Sequence, residues 1–125
     1  MEETYSTDKK YRKELNGGIA SLVLLSILNS AADSMYGYQI ASLIEDITHD
    51  SPVIKQGTLY PVLHSLESQG LLVSEVEPSV SGPPRRYYRI TRPGREALVR
   101  WKEMWDRARN FVDTVLTGVD YDKHC

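Results

Sequence analysis

The stretch that decides the architecture is Gln56-Gly57-Thr58-Leu59-Tyr60-Pro61-Val62-Leu63-His64-Ser65-Leu66, followed past Gly70 by Leu71-Leu72-Val73-Ser74-Glu75-Val76-Glu77. Leu59, Val62, Leu63 and Leu66 recur at three- and four-residue intervals and so share one face of a helix. Gly57, Tyr60, Pro61, His64, Ser65 and Ser68 fall on the opposite, polar face. Gly70 suits the left-handed conformation that closes a helix. Beyond it the pattern turns short and β-branched, and a second such run, Arg86-Tyr87-Tyr88-Arg89-Ile90-Thr91, follows a linker from Pro78 to Pro84. The two runs predict a two-stranded hairpin. Its linker, rich in Pro, Ser and Gly, is too long for a tight turn and is expected to form a mobile tip.

Working outward from this centre, Ile40, Leu43, Ile44 and Ile47 predict an amphipathic helix from about Tyr36 to Thr48, ended by the turn His49-Asp50-Ser51-Pro52. Upstream, Ile19 to Leu28 is apolar nearly all round and predicts a buried helix, continuous or broken at Gly17-Gly18, with residues 1–10 loose ahead of it. Downstream, a last helix begins near Pro93 and runs to about Thr117, before Gly118. Along it Leu98, Trp101, Trp105, Ala108, Val112 and Val115 alternate spacings of three and four, the pattern of a seam between two helices, with Met104 and Phe111 beside it. Such a stripe in water would be an unusually large apolar surface, so a homodimer through this helix is expected.

The domain limits follow: a flexible segment 1–10, a helix-hairpin body 11–92, a dimerisation helix 93–117 and a flexible tail 118–125. A chain of 125 residues with 41% hydrophobic and 26% charged residues holds one domain of this kind. The apolar run at Ile19 is about half the ~20 residues that a membrane helix needs. The start, MEETYSTDKK, lacks the charged-then-apolar design of a secretion signal, and Cys125 is the single cysteine, so a cytoplasmic protein is expected. His49, His64 and His124 have no metal-ligand spacing, and there is no Gly-rich phosphate loop or close carboxylate pair. Neither an enzyme nor a metal or other cofactor is expected, and His124 with Cys125 belongs to the tail.

The net charge of −2 hides an asymmetry. From Glu14 to Pro84 one cation, Lys55, faces eight acidic residues, a net of −7. From Arg85 to Arg109 nine cations face three acidic residues, a net of +6. A polyanionic partner is therefore expected at one place, the root of the hairpin, while the arginines beyond Arg92 coat the wet face of the last helix. Three helices followed by a hairpin with a basic root is the element order of a winged helix-turn-helix: mainly α, with a two-stranded β wing.

The run Tyr36-Gly37-Tyr38, then Gly57-Thr58-Leu59-Tyr60-Pro61-Val62-Leu63-His64 with Leu66-Glu67 and Gly70-Leu71-Leu72, then Arg85-Arg86-Tyr87-Tyr88-Arg89-Ile90-Thr91 and Gly94, closely resembles the PadR family of transcriptional regulators. The resemblance covers roughly residues 15–117, and the single helix after the wing is similar to the shorter subfamily. It implies double-stranded DNA as partner, a dimer joined through the last and first helices, repression at a pseudo-palindromic operator, and release by a small aromatic or otherwise hydrophobic effector. The DNA-binding residues it implies are Tyr38, Lys55, Gln56, Gly57, Thr58, Tyr60, Pro61, His64, Arg85, Arg86 and Tyr87.

Physical reasons accompany several of these. Gly57 lets the backbone approach a phosphate at the start of the helix. Thr58 and Tyr60 can donate hydroxyl hydrogen bonds, although a half-buried packing ring is the competing role for Tyr60. Gln56, Pro61 and His64 lie toward a base edge, and Pro61 removes one helical hydrogen bond and tilts the entry. Adjacent strand residues point to opposite sides, so one at least of Arg85 and Arg86 faces DNA, and one of Tyr87 and Tyr88 faces the core.

The chain departs from the usual pattern at Ser65 and Ser68, where recognition helices carry Arg or Lys. Affinity then has to come from the wing arginines, from Lys9, Lys10, Arg12 and Lys13, and from doubling in the dimer. The −7 segment keeps a second class open: a winged helix used for protein binding without strong DNA binding. Trp101 and Trp105, one turn apart on the seam, cannot interdigitate as closely as Leu or Ile; they either leave a gap that suits a planar hydrophobic effector or fill the dimer core. The resemblance further implies that Trp105 falls where some drug-responsive relatives carry a stacking aromatic.

Overall fold

A computed structural model of the chain describes residues 2–48, 54, 56–79 and 81–119. The elements are α1 (Glu2–Ser30), β1 (Met35–Tyr36), α2 (Gly37–Thr48), α3 (Gln56–Ser68), β2 (Leu72–Glu77), β3 (Arg85–Ile90) and α4 (Arg92–Thr117). One core joins them all: Ala20, Leu24, Leu25 and Leu28 of α1 meet Ile40 and Ile44 of α2, Leu59, Leu63 and Leu66 of α3, Leu72, Tyr88 and Ile90 of the sheet, and Ala97 and Leu98 of α4. The apolar periodicities of the first three helices thus converge on a single interior, and the fold is mainly helical with a small antiparallel wing.

Three expectations need correction. Residues 2–10 are helical rather than loose: α1 starts at Glu2 and passes unbroken through Gly17-Gly18. No proline or glycine interrupts residues 2–16, the Thr7 hydroxyl donates to the Glu3 carbonyl at 2.7 Å, and a helix nucleated in the buried half propagates outward at little cost. Residues 3–15 are all exposed, so this half is held by its own backbone bonds rather than by the core.

The wing has three strands, in the order β1-β3-β2 and antiparallel throughout. The added strand is two residues long, too short to display an alternation, and pairs Met35 with Tyr88 and Tyr36 with Tyr87. Of the four apolar residues that predicted α2, Ile40 and Ile44 are buried; Leu43 is turned outward and Ile47, in the last turn, has run past the core.

Two junctions fix the frame. Gly70, at φ +79°, caps α3: its N–H donates to the Glu67 carbonyl at 2.9 Å and the Leu71 N–H to the Leu66 carbonyl at 3.0 Å, the paired bonds of a Schellman turn. Thr91 then caps α4, its hydroxyl accepting from the Gly94 N–H at 3.1 Å while donating to the Gly70 carbonyl at 2.7 Å. The end of α3 and the start of α4 are therefore tied through one side chain.

The apolar line of α4 divides into two parts. Leu98 lies in the chain's own core and Trp101 is half-buried against it, which corrects the placing of Leu98 on an intermolecular seam. From Met104 onward the line is open: Met104, Trp105, Ala108, Phe111, Val112 and Val115 are exposed. From Lys102 to Gly118 the chain is exposed throughout.

Candidate nucleic-acid interface

Helix α3 presents the face that its sequence pattern assigned outward: Gly57, Tyr60, Pro61, His64, Ser65 and Ser68 are all exposed, as is Thr58, over a buried stripe of Leu59, Leu63 and Leu66. Gln56 opens the helix. Pro61 lacks the N–H that would meet the Gly57 carbonyl in the first turn. A Cβ at Gly57 would meet nothing within 4 Å, so nothing in the fold itself requires a glycine there. The two serines are partly occupied: the Ser68 hydroxyl donates to the His64 carbonyl at 3.0 Å, and the Gln69 amide donates to the Ser65 hydroxyl at 3.2 Å. Lys55 lies outside the described residues, as do His49, His124 and Cys125.

The wing arginines point to opposite sides, as strand alternation requires, and their surroundings differ. Arg85 stacks over the Tyr36 ring with its Cζ 4.6 Å from the centroid, on the face that also carries Tyr87. Tyr36 meets Tyr87 edge-on at 5.4 Å and stacks on Tyr38 at 6.4 Å, so Arg85 crowns an aromatic cluster. A stacked guanidinium keeps its N–H edge free for a phosphate. Arg86 sits on the other face, donating to the Ser74 hydroxyl at 3.0 Å; Ser74 in turn donates to the Glu67 carboxylate of α3 at 2.5 Å. Glu67 offsets part of the charge of Arg86, so the two arginines are not equivalent.

Of the adjacent tyrosines, Tyr88 is the buried one and Tyr87 the partly exposed one. Burial pushes the Tyr88 phenol above its ordinary pKa; the Arg86 charge opposes this, and Glu67 and Tyr60 add to it. Tyr88 therefore stays neutral. Tyr60 is half-exposed, and its ring tip rests over Gly37 at the start of α2. Sequence reasoning missed Tyr36, Ser74 and Glu67 as members of this surface. Tyr36 and Glu67 stood in the motif runs, but their roles come from pairing across the sheet, which no local pattern displays.

The sequence profile of the Transcriptional regulator PadR-like family matches residues 24–100, the span from the core half of α1 to the first turns of α4. The chain belongs to this family of transcriptional regulators. It is similar to a PadR family regulator of known structure from Eggerthella lenta, at 32% identity and a TM-score of 0.77, covering 95% of this chain and 100% of that one. A second solved structure, a transcriptional regulator from Clostridium thermocellum, is 29% identical with a TM-score of 0.70, covering 80% of this chain and 92% of that one. The transcriptional regulator Rv3488 of Mycobacterium tuberculosis is 47% identical over 77 residues, 61% of this chain and 68% of that protein. The Eggerthella likeness reaches past the profile, since it covers 95% of this chain. Among the described residues of this PadR-like chain no helix is long and apolar enough to cross a membrane.

Proposed function

We propose that this PadR-like protein is a cytoplasmic, homodimeric DNA-binding repressor whose α3 and wing, within residues 11–92, occupy a pseudo-palindromic operator. The observation that carries the reading is the side-by-side placement of an uncrowded polar α3 face and an arginine-bearing wing. Gly57, Thr58, Tyr60 and Arg85 hold the phosphates, Gln56 and His64 read base edges, and Tyr38, Pro61 and Tyr87 shape the contact. Two-fold symmetry sets the half-site centres at multiples of ~34 Å. Residues 93–117 join the protomers.

A binding titration on genomic fragments at two salt concentrations tests this. Arg85→Ala is expected to weaken all sequences alike and to lower the salt slope by about one. His64→Ala is expected to change sequence preference instead. Gly57→Ala should leave the melting temperature unchanged or raised, since alanine is the better helix former by up to about 1 kcal/mol, and yet weaken binding by blocking close approach. No retardation of any fragment at low salt would overturn the reading in favour of a protein-binding winged helix.

An effector fits the same chain. Leu15, Gly18 and Leu22 of α1 with Trp101, Met104 and Trp105 of α4 line an open apolar groove of about 480 Å³, within the range of small-molecule sites. A planar hydrophobic molecule stacked on Trp105 would respace the two last helices and with them the two α3 helices. Planar dyes are expected to quench tryptophan fluorescence in the wild type and much less in Trp105→Leu. Equal quenching in both would return Trp105 to packing alone.

A further inference from the structure

Two glycines flank the proposed DNA surface, and their surroundings are opposite. Gly57 is open, whereas a Cβ at Gly37 would stand 2.6 Å from both Cε1 and Oη of Tyr60 and 2.8 Å from its Cζ. Real side chains do not come so close, so the ring of Tyr60 lies where any other residue at position 37 would place its first carbon.

Gly37 itself has little room to retreat. It is the buried first residue of α2, directly after Tyr36, which pairs with Tyr87 in the sheet. The Tyr36 N–H donates to the Gln39 side chain at 3.0 Å, the return half of a capping box that pins the helix start. Tyr60 can move: it is 47% exposed and extends from the outward face of α3. Adding a methyl group at position 37 therefore displaces the tyrosine rather than the backbone.

We propose that Gly37 is a positioning residue for DNA binding: it provides the seat that holds the Tyr60 ring against the start of α2 and aims its hydroxyl at the phosphate backbone. This rests on the DNA-binding reading above. The seat spans α2 and α3, so it also fixes the rotation of the Tyr60 side chain relative to both helices, at no cost in buried polar groups.

The test is a double-mutant cycle on DNA affinity with a melting curve for every variant. Gly37→Ala is expected to keep the wild-type melting temperature within a few degrees and to lose about tenfold in affinity for all sequences alike, the scale of one charge-assisted hydrogen bond. Tyr60→Phe, which removes only the hydroxyl, should lose about as much. In the Tyr60→Phe background Gly37→Ala should then add less than twofold, because the group that it displaces is already gone.

Unchanged affinity in Gly37→Ala, or losses that multiply in the double variant, overturns the proposal. If Gly37→Ala melts far below the wild type, Gly37→Ala with Tyr60→Ala removes the clash and must restore the melting temperature; failure to do so also overturns it. Wild-type protein that retards no fragment defeats the DNA-binding reading as a whole, whereas wild-type binding with an intact Gly37→Ala variant defeats only the seat.

Discussion

Gly94→Ala is expected to destabilise the protein by about 3 kcal/mol or more, as overpacking against atoms that cannot yield does. The added Cβ would collide with the backbone carbonyl oxygen of Leu71 and stand 2.7 Å from Cγ1 of Ile90. Neither obstacle is the loose end of a side chain. The Leu71 carbonyl accepts from the Thr91 N–H at 3.1 Å, and Thr91 binds both the Gly70 carbonyl and the Gly94 N–H, so the crowded atoms are already fastened to one another. Moving α4 away to admit a methyl group would break the cap of α4 and open the core at Ala97 and Leu98. At about 4 °C per kcal/mol for a domain of this size, the melting temperature should fall by about 12 °C. Gly18→Ala is the control: a Cβ there meets nothing within 4 Å, and the helix should be unchanged or stabilised by up to about 1 kcal/mol. A drop of less than about 4 °C in Gly94→Ala would show that the junction is softer than its hydrogen bonds imply.

Those same residues illustrate what a sequence displays and what it conceals. The stripe Leu59, Leu63, Leu66 was legible because a helix repeats every 3.6 residues, and the cap at Gly70 because glycine occupies the left-handed region without penalty. The outward face of α3 was legible as their complement. Strand β1 was not, since two residues carry no period and its partner lies in β3, far along the chain. The helical state of residues 2–10 was hidden for a different reason: a polar segment without an apolar face looks loose, and only its continuity with the buried half of α1 makes it a helix. Leu98 and Trp105 share one heptad line, yet one is core and the other exposed, because the line runs on past the edge of the core. The contrast between Arg85 and Arg86 was likewise invisible, since it depends on Tyr36, Ser74 and Glu67, which reach the wing only after folding. Periodic burial is local information; the contacts that set the site are not.

The largest effect on function is expected from the part of α4 that the body leaves uncovered. Phe111 is 71% exposed, Leu116 77% and Val112 49%, an apolar run with no partner among the described residues. A second copy of the chain is the occupant that the proposed two-fold repressor requires. Phe111→Glu with Val112→Glu places two like charges on that line in each protomer, four across the two-fold axis, while touching no residue of the chain's own core. The variant is therefore expected to keep its helical circular dichroism and to sediment as a monomer at micromolar concentration where the wild type sediments as a dimer. Loss of dimerisation removes the effective concentration that links one half-site contact to the next, so operator affinity should fall by about 10²- to 10⁴-fold, although α3 and the wing are untouched. The salt slope should fall with it, towards half, because each monomer retains its own phosphate contacts and no more. A wild-type protein that sediments as a folded monomer, or a variant that dimerises and binds as before, would remove α4 from the assembly and return its apolar line to another partner.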